Sequence, residues 1–330
     1  MEYQQLGDSG VTVSRIIFGS WAVGGWLWGG TGQNDAVGAI HAAYDQGVTS
    51  IDTAPVYGQG LSEQLVGEAI QSLPRDKVQI LTKFGMRWDL AKGDLFLKTK
   101  DNEGHALDVY KYAGRESVIQ ECENSLRRMG TDYLDLYQQH WPDVTTRIDE
   151  TMETVQRLIE QGKVRAAGVC NYAVPQLEEA KKTLHLVSNQ LPYSMLRRDI
   201  EHDVVPYCQQ QGLAILAYSP LQLGLLTGKI TPGHAFAADD VRSTNRFFQP
   251  ENVRRVNGLL DKLRPLAKAK NVTLGQLVLR WTLAQPSISA ALVGARNPEQ
   301  AGQNAKAIEV PLSLEEVEFI TQHVAELKLG

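Results

Sequence analysis

FGSWAVGGWLWGGTG, residues 18–32, is the stretch whose reading decides the fold. It follows a short β-branched apolar run at residues 15–18. In a doubly wound dinucleotide-binding sheet, the first strand runs into a G-x-G-x-x-G turn that opens directly into a helix. Here the glycines are interleaved with Trp21, Trp26 and Trp28, and no helical pattern begins until about residue 34. The stretch is therefore a loop and not a phosphate-binding turn.

Outward from this loop the chain repeats one alternation. Strand-like runs lie at 15–18, 49–52, 78–82, 133–138, 164–169, 186–190, 214–218 and 289–293. Amphipathic helical stretches lie at 34–46, 62–71, 115–129, 149–161, 175–182 and 203–211, and across the region 251–285. Gly47, Gly162 and Gly212 each follow a helical stretch, where a left-handed cap is wanted. Strands alternating with helices build a parallel sheet, and without a dinucleotide turn the closed (β/α)8 TIM barrel is the better solution. That barrel needs about 250 residues. The excess falls in an N-terminal β-hairpin at 3–13 expected to cap the barrel bottom, long βα loops at 85–114 and 221–250, and an added C-terminal helix at 314–327. No linker or low-complexity tract interrupts the pattern, so residues 1–330 read as one α/β domain.

Bulk composition narrows the function. The chain is 43% hydrophobic and 22% charged, ordinary for a globule. A net charge of −5 argues against nucleic acid, which demands a concentrated basic face. No apolar run approaches the roughly 20 residues that span a bilayer. No secretory leader is visible, and Cys122, Cys170 and Cys208 are far apart, so a reducing cytoplasm is the expected compartment. The seven histidines are scattered with neither HxH nor HExxH, so no metal site is expected.

Chemistry in such a barrel is done at the C-terminal ends of the strands. Asp52, Lys83, His140, Asn171, Gln190, Tyr218 and Gly294 all end or follow strand-like runs, with Tyr57 just beyond the second. Taken singly, each has an ordinary explanation: a helix cap, a solvated charge, a packed imidazole, a loop aromatic. Polar groups recurring on successive strand ends are costly to bury without partners, and they converge on one mouth.

These residues sit within IDTAPVYG (51–58), LTKFG (81–85), YLDLYQQHWPD (133–143), GKVRAAGVCNY (162–172), SNQLPYS (188–194) and LVGARNPEQ (292–300). In this order, and over almost the whole chain, they resemble the aldo-keto reductase family. The tryptophan-rich loop and HWPD look closest to the bacterial general-stress and inositol-utilisation branch. The resemblance implies an NADP(H)-dependent reduction of a small carbonyl compound, with Tyr57 as general acid, Lys83 and Asp52 tuning it, and His140 orienting the carbonyl. A free phenol has a pKa of about 10, and the Lys83 ammonium is expected to lower that of Tyr57.

The resemblance further implies that Asn171 and Gln190 grip the nicotinamide carboxamide and that Tyr218 stacks on its ring. Ser219, Leu221, Gly224 and Lys229 would line the pyrophosphate; Gly294, Arg296, Gln300 and Asn304 would surround the adenosine end. Cys170 stands where the family usually has Ser. Arg296 suits a 2′-phosphate, which favours NADPH over NADH, although many relatives carry Arg where Gln300 stands. Trp21 would border the cofactor, and Trp26, Trp28, Trp88 and Trp141 would wall the substrate pocket. Two other readings compete. One is a cofactor-binding regulatory subunit of the potassium-channel β type; the other is a Schiff-base aldolase acting through Lys83.

Overall fold

In the computed structural model, which describes residues 1–237 and 240–330, eight parallel strands close into a barrel. The chain opens with a hairpin of β1 (Tyr3–Gln5) and β2 (Thr12–Ser14), then enters the barrel at β3 (Ile16–Gly19), β4 (Ser50–Asp52) and β5 (Gln79–Phe84). An excursion of β6 (Met86–Arg87), β7 (Asp94–Lys100) and β8 (Ala106–Lys111) follows. The barrel is completed by β9 (Leu134–Gln139), β10 (Val164–Cys170), β11 (Leu186–Pro192), β12 (Ala214–Tyr218) and β13 (Ile288–Gly294), which closes on β3. Each of the eight strands lies within two residues of its expected place.

Helices α1 (Gln33–Asp45), α2 (Leu61–Ile70), α3 (Arg115–Met129), α4 (Ile148–Glu160), α5 (Val174–Lys181) and α6 (Val204–Gln211) ring the outside. The α4 sequence shows why: Thr151, Met152, Val155 and Leu158 recur at helical spacing and are buried, while Asp149, Glu153 and Glu160 are not. The region 251–285 divides into α7 (Pro250–Ala269) and α8 (Leu274–Leu283). The break falls where Asn271 takes φ +55° and the Thr273 hydroxyl accepts from the Gln276 N–H to start the second helix. Then come α9 (Pro298–Ala305) and the C-terminal α10 (Leu314–Ala325). No helix among the described residues is long and apolar enough to cross a membrane.

Two expectations are corrected. Residues 85–114 are not an irregular loop: β6, β8 and β7 form an antiparallel sheet beside the barrel mouth. Its strands carry Lys and Asp on exposed positions, which hid them, and the pairing of β7 with β8 supplies what local apolar pattern did not. A helix, α9, also starts inside LVGARNPEQ, with the Asn297 side chain accepting from the Gln300 N–H and Pro298 in the first turn. The second long loop, 221–250, contains residues 238 and 239, which lie outside the described residues.

Two-residue periodicity divides the barrel interior into layers. At the bottom, Leu6, Val11 and Val13 of the hairpin pack with Ile17, Leu81, Leu136, Ala166, Leu216 and Ala290, so the hairpin plugs the barrel as expected. One step up, the aligned positions are Lys83 on β5, Gln138 on β9, Gly168 on β10 and Ser188 on β11. The same alternation that packs an apolar floor thus lifts a polar layer to the mouth.

Candidate active site

Lys83 is wholly buried, and its ammonium donates to Asp52 Oδ1 at 2.5 Å, to the Thr53 carbonyl at 2.8 Å and to the Tyr57 hydroxyl at 3.3 Å. A lone buried ammonium would be prohibitively costly; three acceptors, one of them charged, offset that desolvation. The segment after β4 folds Tyr57 back over the mouth. Gly58 allows this by taking φ +62°, and a Cβ there would collide with the Gly24 carbonyl oxygen. The Tyr57 ring lies along Trp21 at 6.1 Å and meets the His140 ring edge-on at 5.7 Å. His140 is held by its backbone N–H, which donates to the Phe84 carbonyl at 2.9 Å.

Proton affinities here depart from expectation. Tyr57 is pushed up to about 12 and not lowered: burial disfavours phenolate more than Lys83 favours it, and Asp52 adds to the rise. Burial works against the Lys83 ammonium, but Asp52, Tyr57 and Cys170 together outweigh it and the pKa is raised. Burial and then Lys83 hold the His140 imidazole well below its usual value. At neutral pH the site therefore contains a protonated phenol, an ammonium and a neutral imidazole.

These groups form the floor of a cavity of about 760 Å³. Asp52, Tyr57 and His140 line it, whereas Lys83 lies beneath. Trp21, Trp26, Trp28 and Trp141 are on its wall; Asn171, Gln190, Tyr218, Ser219, Leu221, Gly224 and Lys229 follow across the mouth, with Gly294, Arg296, Gln300 and Asn304 at the far end. Trp88 is not on the wall. It packs against the buried cluster of Trp26, Ala54, Val56, Met86 and Val109, while Phe96 and Leu97 of the excursion sheet line the cavity. The loop after β12 crosses the mouth: the Val241 N–H donates to the Leu27 carbonyl at 3.2 Å, and the Arg242 guanidinium lies 4.9 Å from the Trp28 ring centre.

Sequence reasoning missed Phe96, Leu97, Arg242 and Gln138. Gln138 alone had a readable signal, standing two residues before His140 and so on the same side of β9.

The donor set fits a nicotinamide dinucleotide. Asn171 stands at φ +60°, donates from Nδ2 to the His140 carbonyl at 3.0 Å and accepts from the Tyr218 hydroxyl at 3.0 Å, leaving one N–H. Gln190 turns Nε2 to Asp52 Oδ2 at 2.8 Å, leaving Oε1. One spare donor and one spare acceptor are complementary to a primary carboxamide. The Ser219 hydroxyl, the Lys229 ammonium and the Arg296 guanidinium make no hydrogen bond or ion pair among the described residues, so they are available to phosphates. Gln300 and Asn304 are engaged locally: Gln300 Oε1 accepts from the Arg296 N–H at 3.0 Å, and Asn304 Nδ2 donates to the Gly294 carbonyl at 3.1 Å. Burial keeps the Cys170 thiol protonated, a weaker donor than the usual serine.

Fold and site together describe a (β/α)8 barrel that holds a proton beneath a dinucleotide-sized cavity. The profile of the Aldo/keto reductase family matches residues 15–325. Aldo-keto reductase YhdN of Bacillus subtilis (strain 168) is 40% identical over 302 residues, covering 91% of this chain and 86% of that protein. The NADH-specific methylglyoxal reductase of Escherichia coli (strain K12) is 37% identical over 313 residues, covering 93% and 94%. The structure of glycerol dehydrogenase AKR11B4 from Gluconobacter oxydans superposes with a TM-score of 0.88 at 34% identity, covering 98% of this chain and 95% of that one. The chain belongs to the aldo/keto reductase family and is an NAD(P)H-dependent oxidoreductase.

Proposed function

We propose that this protein, working as one barrel unit in the cytoplasm, reduces small aldehydes or ketones to alcohols and prefers NADPH. The observation that carries the reading is the buried Lys83 ammonium touching both Asp52 and the Tyr57 hydroxyl. A nicotinamide held by Asn171 and Gln190 would supply the hydride for the carbonyl carbon. Tyr57 donates its hydroxyl proton to the carbonyl oxygen, and the phenolate left behind is stabilised by Lys83. Asp52 holds Lys83 in place and charged. Neutral His140 donates a hydrogen bond to the same oxygen and aims the carbonyl. In reverse, the phenolate takes the alcohol proton.

Asn171 and Gln190 would hold the carboxamide, Tyr218 would stack on the ring, and Trp21 would border it. Ser219, Leu221, Gly224 and Lys229 would take the pyrophosphate, with Gly294, Arg296, Gln300 and Asn304 around the adenosine. The preference for NADPH rests on the Arg296 guanidinium at the cavity's far end, which makes no hydrogen bond or ion pair among the described residues although its charge reaches Asp240. Methylglyoxal, the compound in the E. coli relative's name, is a reasonable first substrate. That relative is NADH-specific by name, so both nucleotides belong in the assay. The aldolase reading needs a neutral lysine, whereas Lys83 is ion-paired and its pKa is raised.

Tyr57→Phe is the test. Turnover of small aldehydes should fall by about 10²–10⁴-fold, the usual worth of a positioned general acid, with cofactor binding by fluorescence retained. Near-normal turnover removes Tyr57 from its role. A wild-type chain that binds cofactor tightly yet turns over no aldehyde supports the channel-subunit reading instead.

A further inference from the structure

Asp52 is held from three sides inside the barrel. Lys83 takes Oδ1, while Gln190 Nε2 at 2.8 Å and Gln138 Nε2 at 3.4 Å share Oδ2. A carboxylate only accepts, so both glutamines must turn their nitrogens toward it. The second N–H of Gln190 points to Gln138 Oε1, also at 3.4 Å. The two 3.4 Å contacts are long, but all three side chains are buried, where an amide without a partner is costly. With both of its N–H groups engaged, Gln190 has one orientation left, and Oε1 remains for the cavity.

Gln138 reaches this position because β10 is bare beside it. Gly168 pairs with Gln138 in register; a Cβ there would stand 3.2 Å from Gln138 Cγ and would collide with Ser188 Oγ. Gln138 itself is fully buried beneath the cavity wall and touches neither the hydroxyl of Tyr57 nor the space above it.

We propose that Gln138 is a positioning residue that, together with Asp52, locks the Gln190 amide with its oxygen toward the cofactor and ties the carboxamide site to the Asp52–Lys83–Tyr57 proton group. The inference rests on the cofactor reading given above. It has two consequences. Without the Gln138 amide, Gln190 turns more freely and the nicotinamide end is held less well, while the adenosine end is unaffected. Asp52 also loses a donor, its charge bears more strongly on Lys83 and Tyr57, and phenolate becomes harder to form. The ionisable groups around the Tyr57 hydroxyl are Lys83, Asp52, His140, Cys170 and Tyr218, and all of them keep their side chains when only Gln138 is replaced.

Gln138→Met keeps length and bulk but removes the amide. Calorimetric titration should show NADPH bound about five- to tenfold more weakly, as expected for one lost hydrogen bond. The same molecule lacking its nicotinamide, 2′-phospho-ADP-ribose, should bind within about twofold of wild type. The rising limb of the pH profile for alcohol oxidation should move upward by about half a pH unit or more. A residue that merely fills space would move neither reading. Gln138→Glu provides the rescue: its protonated carboxyl can donate to Asp52, so NADPH affinity should recover on going from pH about 8 to about 6. Should the Met variant fail to fold, shown by lost binding of the fragment as well, the Glu variant decides. Wild-type NADPH affinity at every pH in the folded variants, with an unmoved profile, overturns the proposal. Failure of the wild-type chain to bind either NADPH or the fragment overturns the underlying cofactor reading, a separate and recognisable outcome.

Discussion

A phenol beside an ammonium ordinarily gives up its proton more easily than one in water, yet Tyr57 holds its proton up to about pH 12. Burial is the larger influence, and the Lys83 charge is partly spent on Asp52. The result suits reduction, which consumes a protonated acid, and it means neutral-range activity should not depend on Tyr57 losing a proton. At the same scale, Gly58 fixes where that hydroxyl stands. Gly58→Ala would force a Cβ into the Gly24 carbonyl at a left-handed φ, at a cost of about 1–3 kcal/mol. Turnover should fall more than about tenfold in the folded fraction as Tyr57 is displaced, an increase of about 1.4 kcal/mol or more in the barrier. Unchanged kcat with a lowered Tm would show that the glycine serves only the turn.

Among the elements, the excursion of β6, β7 and β8 is joined to the barrel through a buried carboxylate. Glu121 on α3 accepts from the Gly85 N–H at 3.0 and 3.2 Å and from the Ser117 hydroxyl at 3.1 Å, with the Arg87 guanidinium 4.0 Å away. Burial pushes Glu121 from 4.5 up to about 7, against the opposing pull of Arg87. Between those values the folded chain binds more protons than the unfolded chain, so this group's contribution to stability falls as pH rises through the window. Glu121→Gln keeps an acceptor for Gly85 without the titration. Melting curves at pH about 5 and about 8 should therefore differ less in the variant than in the wild type. Equal slopes would mean that Glu121 does not titrate in that range.

For the whole molecule, the cavity is assembled from the tryptophan loop, the excursion sheet, the loop after β12 and the start of α9, pieces far apart in sequence. A ligand spanning them binds only the folded chain and stabilises it by mass action, by about 2.7 kcal/mol at a hundredfold excess over Kd. The melting temperature should rise with either nucleotide and rise further with NADPH at equal concentration. Arg296→Ala should narrow that gap. A larger shift with NADH would reverse the assigned preference.

The alternation of strands and helices, the hairpin and several helix caps were legible because they are local. Periods of two and of 3.6 residues mark which face is buried, and glycine or asparagine punctuates the ends. The Asp52, Tyr57, Lys83 and His140 positions could be read for the same reason, since strand ends of such a barrel share one mouth. The excursion sheet escaped notice because its strands, half exposed, are stabilised by pairing and not by pattern. Trp88 and Phe96 exchanged places because the fold of that sheet, not their sequence, chooses which aromatic faces the cavity. Gln138 meets Gln190 and Asp52 only through the register of neighbouring strands and the missing side chain at Gly168. The direction of the Tyr57 shift was also beyond sequence reasoning. A neighbour's charge can be named from a motif, but desolvation depends on everything packed around the group, and that exists only in the folded barrel.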